Sequence, residues 1–210
     1  LILALAQRIP QNDAAMKVGG WQTGLGTLLA GRRLGVVGLG RLGSRVAAIA
    51  PAFGMEVVAW SQNLTDEAAA AGGARRVSKH ELFATADVVT VHLTLSERTR
   101  HIVDAAAIGA MRPSAFLVNA ARAGLIETPA LVAALQSNRI AGAAIDVYDE
   151  EPLPADDPLR RVPNLVLTPH VGYVSRENMG VFYRQMVENI AAFQAGAPIR
   201  QLTPDAPSLG

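Results

Sequence analysis

The sequence predicts an α/β chain built on a doubly wound parallel sheet with helices on both faces. From Arg33 onward, short β-branched runs alternate with longer stretches of helical period, the order that repeated strand–helix–strand units require. The runs Asp87–Val91 and Ala115–Val118 are apolar with few breaks, as strands covered on both faces are. Half of the 210 residues are hydrophobic and only 18% are charged, which is enough apolar material for one large folded domain and excludes a disordered chain.

Taken in order, the opening Leu1–Ala6 is too short to cross a bilayer and lacks the basic flank and cleavage pattern of an export signal. It begins on Leu inside a helical pattern, so further residues are expected upstream. Strands are expected at 33–37, 56–60, 88–92, 115–119, 141–146 and 165–168. Between the first two, Leu42, Val46, Ile49 and Phe53 recur at helical spacing and predict a stripe buried against the sheet. Ser78 followed by Glu81 matches a capping box, and Thr128-Pro129 predicts a cap and a first-turn proline. Residues 150–163, proline-rich and acidic at the start, predict a long loop over the sheet edge. Met179, Phe182, Met186, Ile190 and Phe193 predict a long amphipathic helix closed by Gly196 and Pro198, with a face to bury against something else.

Charge narrows the partners. With 19 Lys+Arg against 18 Asp+Glu the formal charge is +1, and no basic block offers nucleic acid or an anionic membrane a surface. Small molecules or proteins are the expected partners. The absence of cysteine removes disulfides, thiolate nucleophiles and Cys-ligated metals, and the four histidines, at 80, 92, 101 and 170, lack ligand spacing, so no metal site is expected. These features are compatible with a reducing cytoplasm.

Gly38-Leu39-Gly40-Arg41-Leu42-Gly43 fits G-x-G-x-x-G. It follows the expected strand Leu34–Val37 directly and opens a helix, and a second strand ends about twenty residues on, as a Rossmann βαβ unit requires. Gly38 is assigned to the tight turn, Gly40 to close approach of a pyrophosphate and Gly43 to helix–strand packing. The helix N-terminus supplies N–H donors and positive dipole. Where a carboxylate would bind the adenosine ribose stand Ser61, Gln62 and Asn63. NAD is the expected cofactor and NADP stays open, with Arg75 or Arg76 as candidate partners for a 2′-phosphate.

Four ordered motifs now stand together: Leu34–Gly43, Val118-Asn-Ala-Ala-Arg-Ala-Gly-Leu-Ile126, Asp146-Val-Tyr-Asp-Glu-Glu-Pro152 and Thr168-Pro-His-Val-Gly172. Through them the chain resembles the nucleotide-binding part of the D-isomer-specific 2-hydroxyacid dehydrogenase family, from about Gly20 to Gly196. The resemblance implies catalysis by Arg122, Glu151 and His170, with Asp146 near the nicotinamide. It places Leu93, Thr94, Asn119, Ala120, Ala121 and Gly172 in the cofactor groove beside Gly38, Gly40, Arg41, Leu42, Gly43 and Ser61, with Arg122, Asp146 and His170 also bordering the cofactor. It divides the chain into a linking helix and dimer arm (1–31), a dinucleotide-binding domain (32–173) and a C-terminal helix and tail (174–210) returning towards a substrate domain whose N-terminal residues are absent from this sequence. A homodimer is implied, with Trp21 in the arm.

The chemistry agrees with the resemblance. Reducing a 2-oxo acid takes a hydride, a proton for the carbonyl oxygen, and a cation for the substrate carboxylate. Imidazole exchanges protons near neutral pH. A carboxylate beside it orients the ring and steadies its cationic form. Arginine grips a carboxylate through two parallel hydrogen bonds. Glu150 competes with Glu151, but Glu151 is the residue that precedes the proline. The expected substrates are 2-hydroxy or 2-oxo acids of the glyoxylate, hydroxypyruvate or phosphoglycerate type. The alternative is an NAD(H)-sensing, corepressor-like interaction module of the same fold. Two departures from the family pattern stand out: His92-Leu93-Thr94 replaces His-x-Pro, and Tyr173 replaces a glycine. His92 is expected to be packed and hydrogen-bonded, and His80 and His101 to lie on the surface.

Overall fold

The computed structural model describes residues 1–202. Two short helices, α1 (Ile2–Ala6) and α2 (Ile9–Lys17), open the chain. Strands β1 (Arg33–Val37), β2 (Glu56–Trp60), β3 (Arg75–Arg76), β4 (Val88–Val91), β5 (Phe116–Asn119), β6 (Gly142–Ile145) and β7 (Leu165–Leu167) then alternate with helices α3 (Arg41–Ile49), α4 (Asp66–Ala71), α5 (Lys79–Thr85), α6 (Ala105–Ala110) and α7 (Thr128–Gln136), and α8 (Arg176–Gln194) follows. The chain falls into two compact units, Leu1–Pro169 and the residues from His170 onward.

Among the described residues the first unit holds a seven-stranded sheet in the order β3-β2-β1-β4-β5-β6-β7, every neighbouring pair parallel. The strand order reverses between β1 and β4, the crevice where such sheets bind ligands. Side chains alternate between the two faces with period 2. Val37, Val58, Val89, Leu117 and Ala143 join one core with Leu82, Phe83, Ile108, Leu131 and Leu135 of α5, α6 and α7. Val36, Val57, Val88, Val118 and Ala144 join the other with Leu5, Ala6, Ala47 and Ala50. The doubly wound architecture is thus the one the sequence predicts.

The register sets the strand ends level: Trp60 pairs with Val37, Val37 with Val91, Val91 with Asn119, Asn119 with Ile145, and Ile145 with Leu167. Each strand therefore delivers its following loop to the same edge.

Several local expectations need correction. Most of the expected α3 stripe does not face the sheet: of its four residues only Val46 packs, partly buried, against the core, Leu42 and Ile49 are each 58% exposed and Phe53 43%, whereas Gly43 and Ala47 are buried. A Cβ on Gly43 would lie 2.1 Å from the Gly38 carbonyl oxygen, so α3 approaches too closely for anything but its small-residue face. Ser78 caps α5, accepting from the Glu81 N–H at 3.0 Å, but the Glu81 carboxylate turns to Arg75 instead of completing the box. Thr128 lies inside α7 and its hydroxyl donates to Asp149. The loop 150–163 contains a 3₁₀ turn, Pro158–Arg161, that buries Leu159 beside the core residue Val162. β3 was not foreseen, since two arginines carry no strand pattern.

Just before β4, Asp87 is buried and gathers three donors. It accepts from the Arg33 N–H (2.8 Å) and from the guanidinium groups of Arg32 (3.3 Å) and Arg112 (3.2 Å). Asp87→Ala orphans a main-chain donor and leaves two half-exposed arginines that water can resolvate. The expected loss is about 2 kcal/mol in urea unfolding, with Asp87→Asn losing less because one acceptor remains.

The second unit carries α8, opened by Ser175, whose hydroxyl accepts from the Asn178 N–H at 3.1 Å. Phe182, Met186, Ile190 and Phe193 stay exposed. Gly196 adopts the left-handed conformation (φ 71°) that ends a helix. The tail residues 203–210 of the expected C-terminal segment lie outside the described residues. Among the described residues no helix is long and apolar enough to cross a membrane.

Candidate functional site

The glycine turn sits at the switch point between β1 and β4. Gly38 has φ 97°, and a Cβ there would lie 2.9 Å from the main chain at both His92 and Leu93, so only glycine fits. Its N–H donates to Trp60 O (2.9 Å), and His92 N–H donates to Val37 O (2.8 Å). The fold thereby brings Gly38 and Leu93, expected in one groove, into direct contact, with Thr94 next along the chain. Gly40 caps α3 with no side-chain hydrogen bond, and a Cβ on it would meet nothing within 4 Å. The space over the first turn of α3 is open, and its leading N–H groups have no intrahelical acceptors. Exposed Arg41 and Leu42 follow. An anionic pyrophosphate fits this cradle on charge and on shape.

His92, at the end of β4, places Nε2 3.0 Å from the Thr90 hydroxyl, as expected of a packed histidine. Burial lowers its pKa from the ordinary 6.5. The unfolded chain therefore binds a proton at a higher pH than the folded one does, and stability falls as pH drops through 6.5. Urea unfolding at pH 7.5 and pH 5.5 is expected to show this loss, and His92→Gln to reduce it. His80 and His101 are exposed.

Beyond β5, the buried Asn119 shapes its own turn. Its Oδ1 accepts from the Ala121 N–H (3.0 Å) and its Nδ2 donates to Arg122 O (2.8 Å). Ala120 and Arg122 are left exposed, and the Arg122 guanidinium donates to Ala121 O at 2.6 Å. Arg122 is thus presented on a rigid turn at the carboxyl edge.

The loop after β6 carries both carboxylates. Asp146 is buried, 2% exposed, and its Oδ1 accepts a short 2.5 Å hydrogen bond from the Thr168 hydroxyl beyond β7. Glu151 Oε1 accepts from the Tyr148 N–H at 2.9 Å, and the Glu151–Pro152 bond is cis. The Tyr148 phenol donates to Thr168 O at 2.8 Å. Burial, and then the Asp146 charge, hold that phenol above its ordinary pKa, so it stays a neutral donor. Tyr148 and Thr168 tie the β6 and β7 loops together. Both residues stand in the quoted motifs, but their spacing of 20 positions gave no sign of the bond.

Three residues past β7, His170 opens the second unit with φ 56°, a left-handed conformation uncommon for non-glycine residues. The Tyr173 ring meets its imidazole edge to face, centroids 5.7 Å apart, and lies 6.1 Å from Phe182. Gly172 is exposed.

At the end of β2, Ser61 is partly exposed. The arginines proposed to reach this point are otherwise engaged. Arg75 pairs with Glu56 and Glu81, and Arg76 with Asp66. A cavity of about 170 Å³ lies at the opposite edge of the sheet, lined by Leu5, Arg8, Phe116 and Gly142 among others, remote from all of these groups. Among the described residues no cluster of metal-binding side chains occurs.

The profile of the family described as "D-isomer specific 2-hydroxyacid dehydrogenase, NAD binding domain" matches residues 1–172. The chain is 38% identical over 205 residues to a glyoxylate reductase of Aeropyrum pernix, covering 93% of this chain and 61% of that protein. It is 42% identical over 180 residues to a D-3-phosphoglycerate dehydrogenase of Methanocaldococcus jannaschii, covering 84% of this chain and 34% of that one. A solved phosphoglycerate oxidoreductase from Vibrio cholerae aligns with a TM-score of 0.88 at 38% identity, over 93% of this chain and 64% of that chain. The chain thus spans less than two thirds of the length of each of these relatives.

Proposed function

The chain belongs to the D-isomer specific 2-hydroxyacid dehydrogenase family, and from that membership we propose that it is the NAD-binding part of an oxidoreductase interconverting a D-2-hydroxy acid and its 2-oxo acid. The observation that carries the reading is the level row of strand ends, which sets the glycine turn, Arg122 and Asp146 along one edge of the sheet.

Gly38, Gly40 and Gly43 shape the pyrophosphate cradle, with Arg41 and Leu42 in the first turn of α3. Ser61, Leu93, Thr94, Asn119, Ala120, Ala121 and Gly172 line the rest of the groove. A nicotinamide held in this groove would supply or accept the hydride at C2 of the substrate. Arg122 holds the substrate carboxylate and polarises the carbonyl. His170 gives a proton to the carbonyl oxygen and takes it back in the oxidative direction. Glu151 orients the imidazole, and Asp146 would border the nicotinamide. Residues 1–31 act as linking helix and arm, 32–173 as the dinucleotide-binding domain, and 174–210 as the return towards a substrate domain.

A second copy is the proposed partner of the arm. Trp21, Leu25 and Leu28 are 76%, 87% and 73% exposed, the outer face of α3 adds Leu42 and Ile49, and the 3₁₀ turn Ala50–Phe53 that follows it adds Phe53. The protein is proposed to act in the cytoplasm.

The test is NADH oxidation by the intact protein with glyoxylate, hydroxypyruvate, 3-phosphohydroxypyruvate and pyruvate. Turnover of at least one is expected. NADH binding without turnover of any would replace the enzyme reading with that of a cofactor-sensing module.

A further inference from the structure

The adenosine ribose of a dinucleotide held at the glycine turn falls beside the end of β2. A carboxylate at that point takes the ribose hydroxyls and, by its charge, repels a 2′-phosphate. Here β2 ends at Trp60 and the chain continues Ser61-Gln62-Asn63-Leu64-Thr65. The next carboxylate, Asp66, stands 3.5 Å from the Arg76 guanidinium. The nearest arginines in sequence are spent on ion pairs, as described above, but the fold supplies another cation from a distant segment.

The Gln62 side-chain amide donates to the main-chain oxygen of Arg98, 36 positions on, at 3.3 Å. That bond sets the turn 96–100 against the residues that follow β2. The turn is internally fixed: the buried Thr99 hydroxyl accepts from the Ser96 N–H (2.8 Å) and donates to Thr94 O (2.7 Å). Arg98 itself is exposed and makes no ion pair among the described residues. The turn carries one acid, Glu97, against two arginines, Arg98 and Arg100, so its balance is positive.

We propose that Arg98, with the hydroxyl of Ser61 and the amide of Asn63, makes this ribose subsite accept a 2′-phosphate, so that the protein binds NADP(H) as well as NAD(H). The proposal rests on the dinucleotide-binding reading given above. The physical basis is a charge-assisted contact between guanidinium and phosphate at a point from which the usual repelling carboxylate is missing. Because the site is exposed, the contact is also screened by salt.

The test is calorimetric titration of NADH and NADPH into the intact protein, its Arg98→Ala variant and its Ser61→Asp variant. Dissociation constants for the two cofactors are expected within about tenfold of each other, with NADPH the more sensitive to salt. Arg98→Ala is expected to weaken NADPH by about tenfold and leave NADH within about twofold. Ser61→Asp is expected to weaken NADPH by more than about tenfold while NADH holds or tightens. NADPH binding more than about a hundredfold weaker than NADH overturns the proposal and leaves the dinucleotide site standing. Equal weakening of both cofactors by Arg98→Ala also overturns it. Failure of both cofactors to bind removes the dinucleotide reading itself.

Discussion

His170→Ala is expected to lower kcat for 2-oxo acid reduction in the intact protein by about 10²- to 10⁴-fold, while NADH still binds. The size follows from the reaction. Hydride arriving at C2 leaves an alkoxide unless a proton reaches the oxygen in the same step, and among the assigned groups the His170 imidazole is the one given the role of proton donor. The alanine chain keeps Arg122 and the glycine cradle, so cofactor affinity measured by NADH fluorescence is expected within about twofold of wild type. Arg122→Ala should differ in kind. Losing the grip on the carboxylate raises KM as well as lowering kcat, because that contact exists in both ground and transition states. A His170→Ala protein that turns over at the wild-type rate would remove the histidine from the mechanism.

The second large effect is expected from the glycine turn. Gly43→Ala places a methyl 2.1 Å from the Gly38 carbonyl oxygen. Both partners are main chain, one in the turn and one in α3, so relief requires the helix to move off the sheet. The expected outcome is a loss of about 3 kcal/mol or more in urea unfolding, together with loss of NAD binding. Gly40→Ala separates the two consequences. Its φ is −79°, and the added methyl meets no protein atom within 4 Å, so stability should change by less than about 0.5 kcal/mol. That methyl occupies space assigned to the pyrophosphate, and NAD affinity is expected to fall by at least about tenfold. Gly40→Ala binding NAD at wild-type strength would contradict the cradle.

The sheet was legible because its central strands are buried on both faces and read as unbroken apolar runs. The expected 33–37 and 56–60 coincide with Arg33–Val37 and Glu56–Trp60. β3 escaped because an edge strand of two arginines has neither apolar periodicity nor a core face. The α3 stripe misled for a different reason. Periodicity gives the angle between apolar residues but not which face meets the sheet, and here the closeness of Gly43 to Gly38 turns Gly43 and Ala47 inward, keeps Val46 at the margin of the core and leaves Leu42 and Ile49 outside. The glycine motif was legible because its three positions each have a separate steric duty. Arg122, Asp146 and Glu151 were legible only as members of motifs. Their surroundings, the Asn119 turn and the Tyr148–Thr168–Asp146 tie, depend on contacts between loops that spacing does not encode. The link from Gln62 to Arg98 is of the same kind.

The central claim is that Arg122, Glu151 and His170 meet around one substrate beside the cofactor. A crystal structure of the intact protein with NAD and oxamate, an unreactive mimic of a 2-oxo acid, tests it most directly. The account predicts the Arg122 guanidinium hydrogen-bonded to the oxamate carboxylate, a His170 ring nitrogen hydrogen-bonded to its carbonyl oxygen, and Glu151 hydrogen-bonded to the other ring nitrogen. Oxamate bound elsewhere, or bound there with His170 turned away from both the ligand and Glu151, would contradict it.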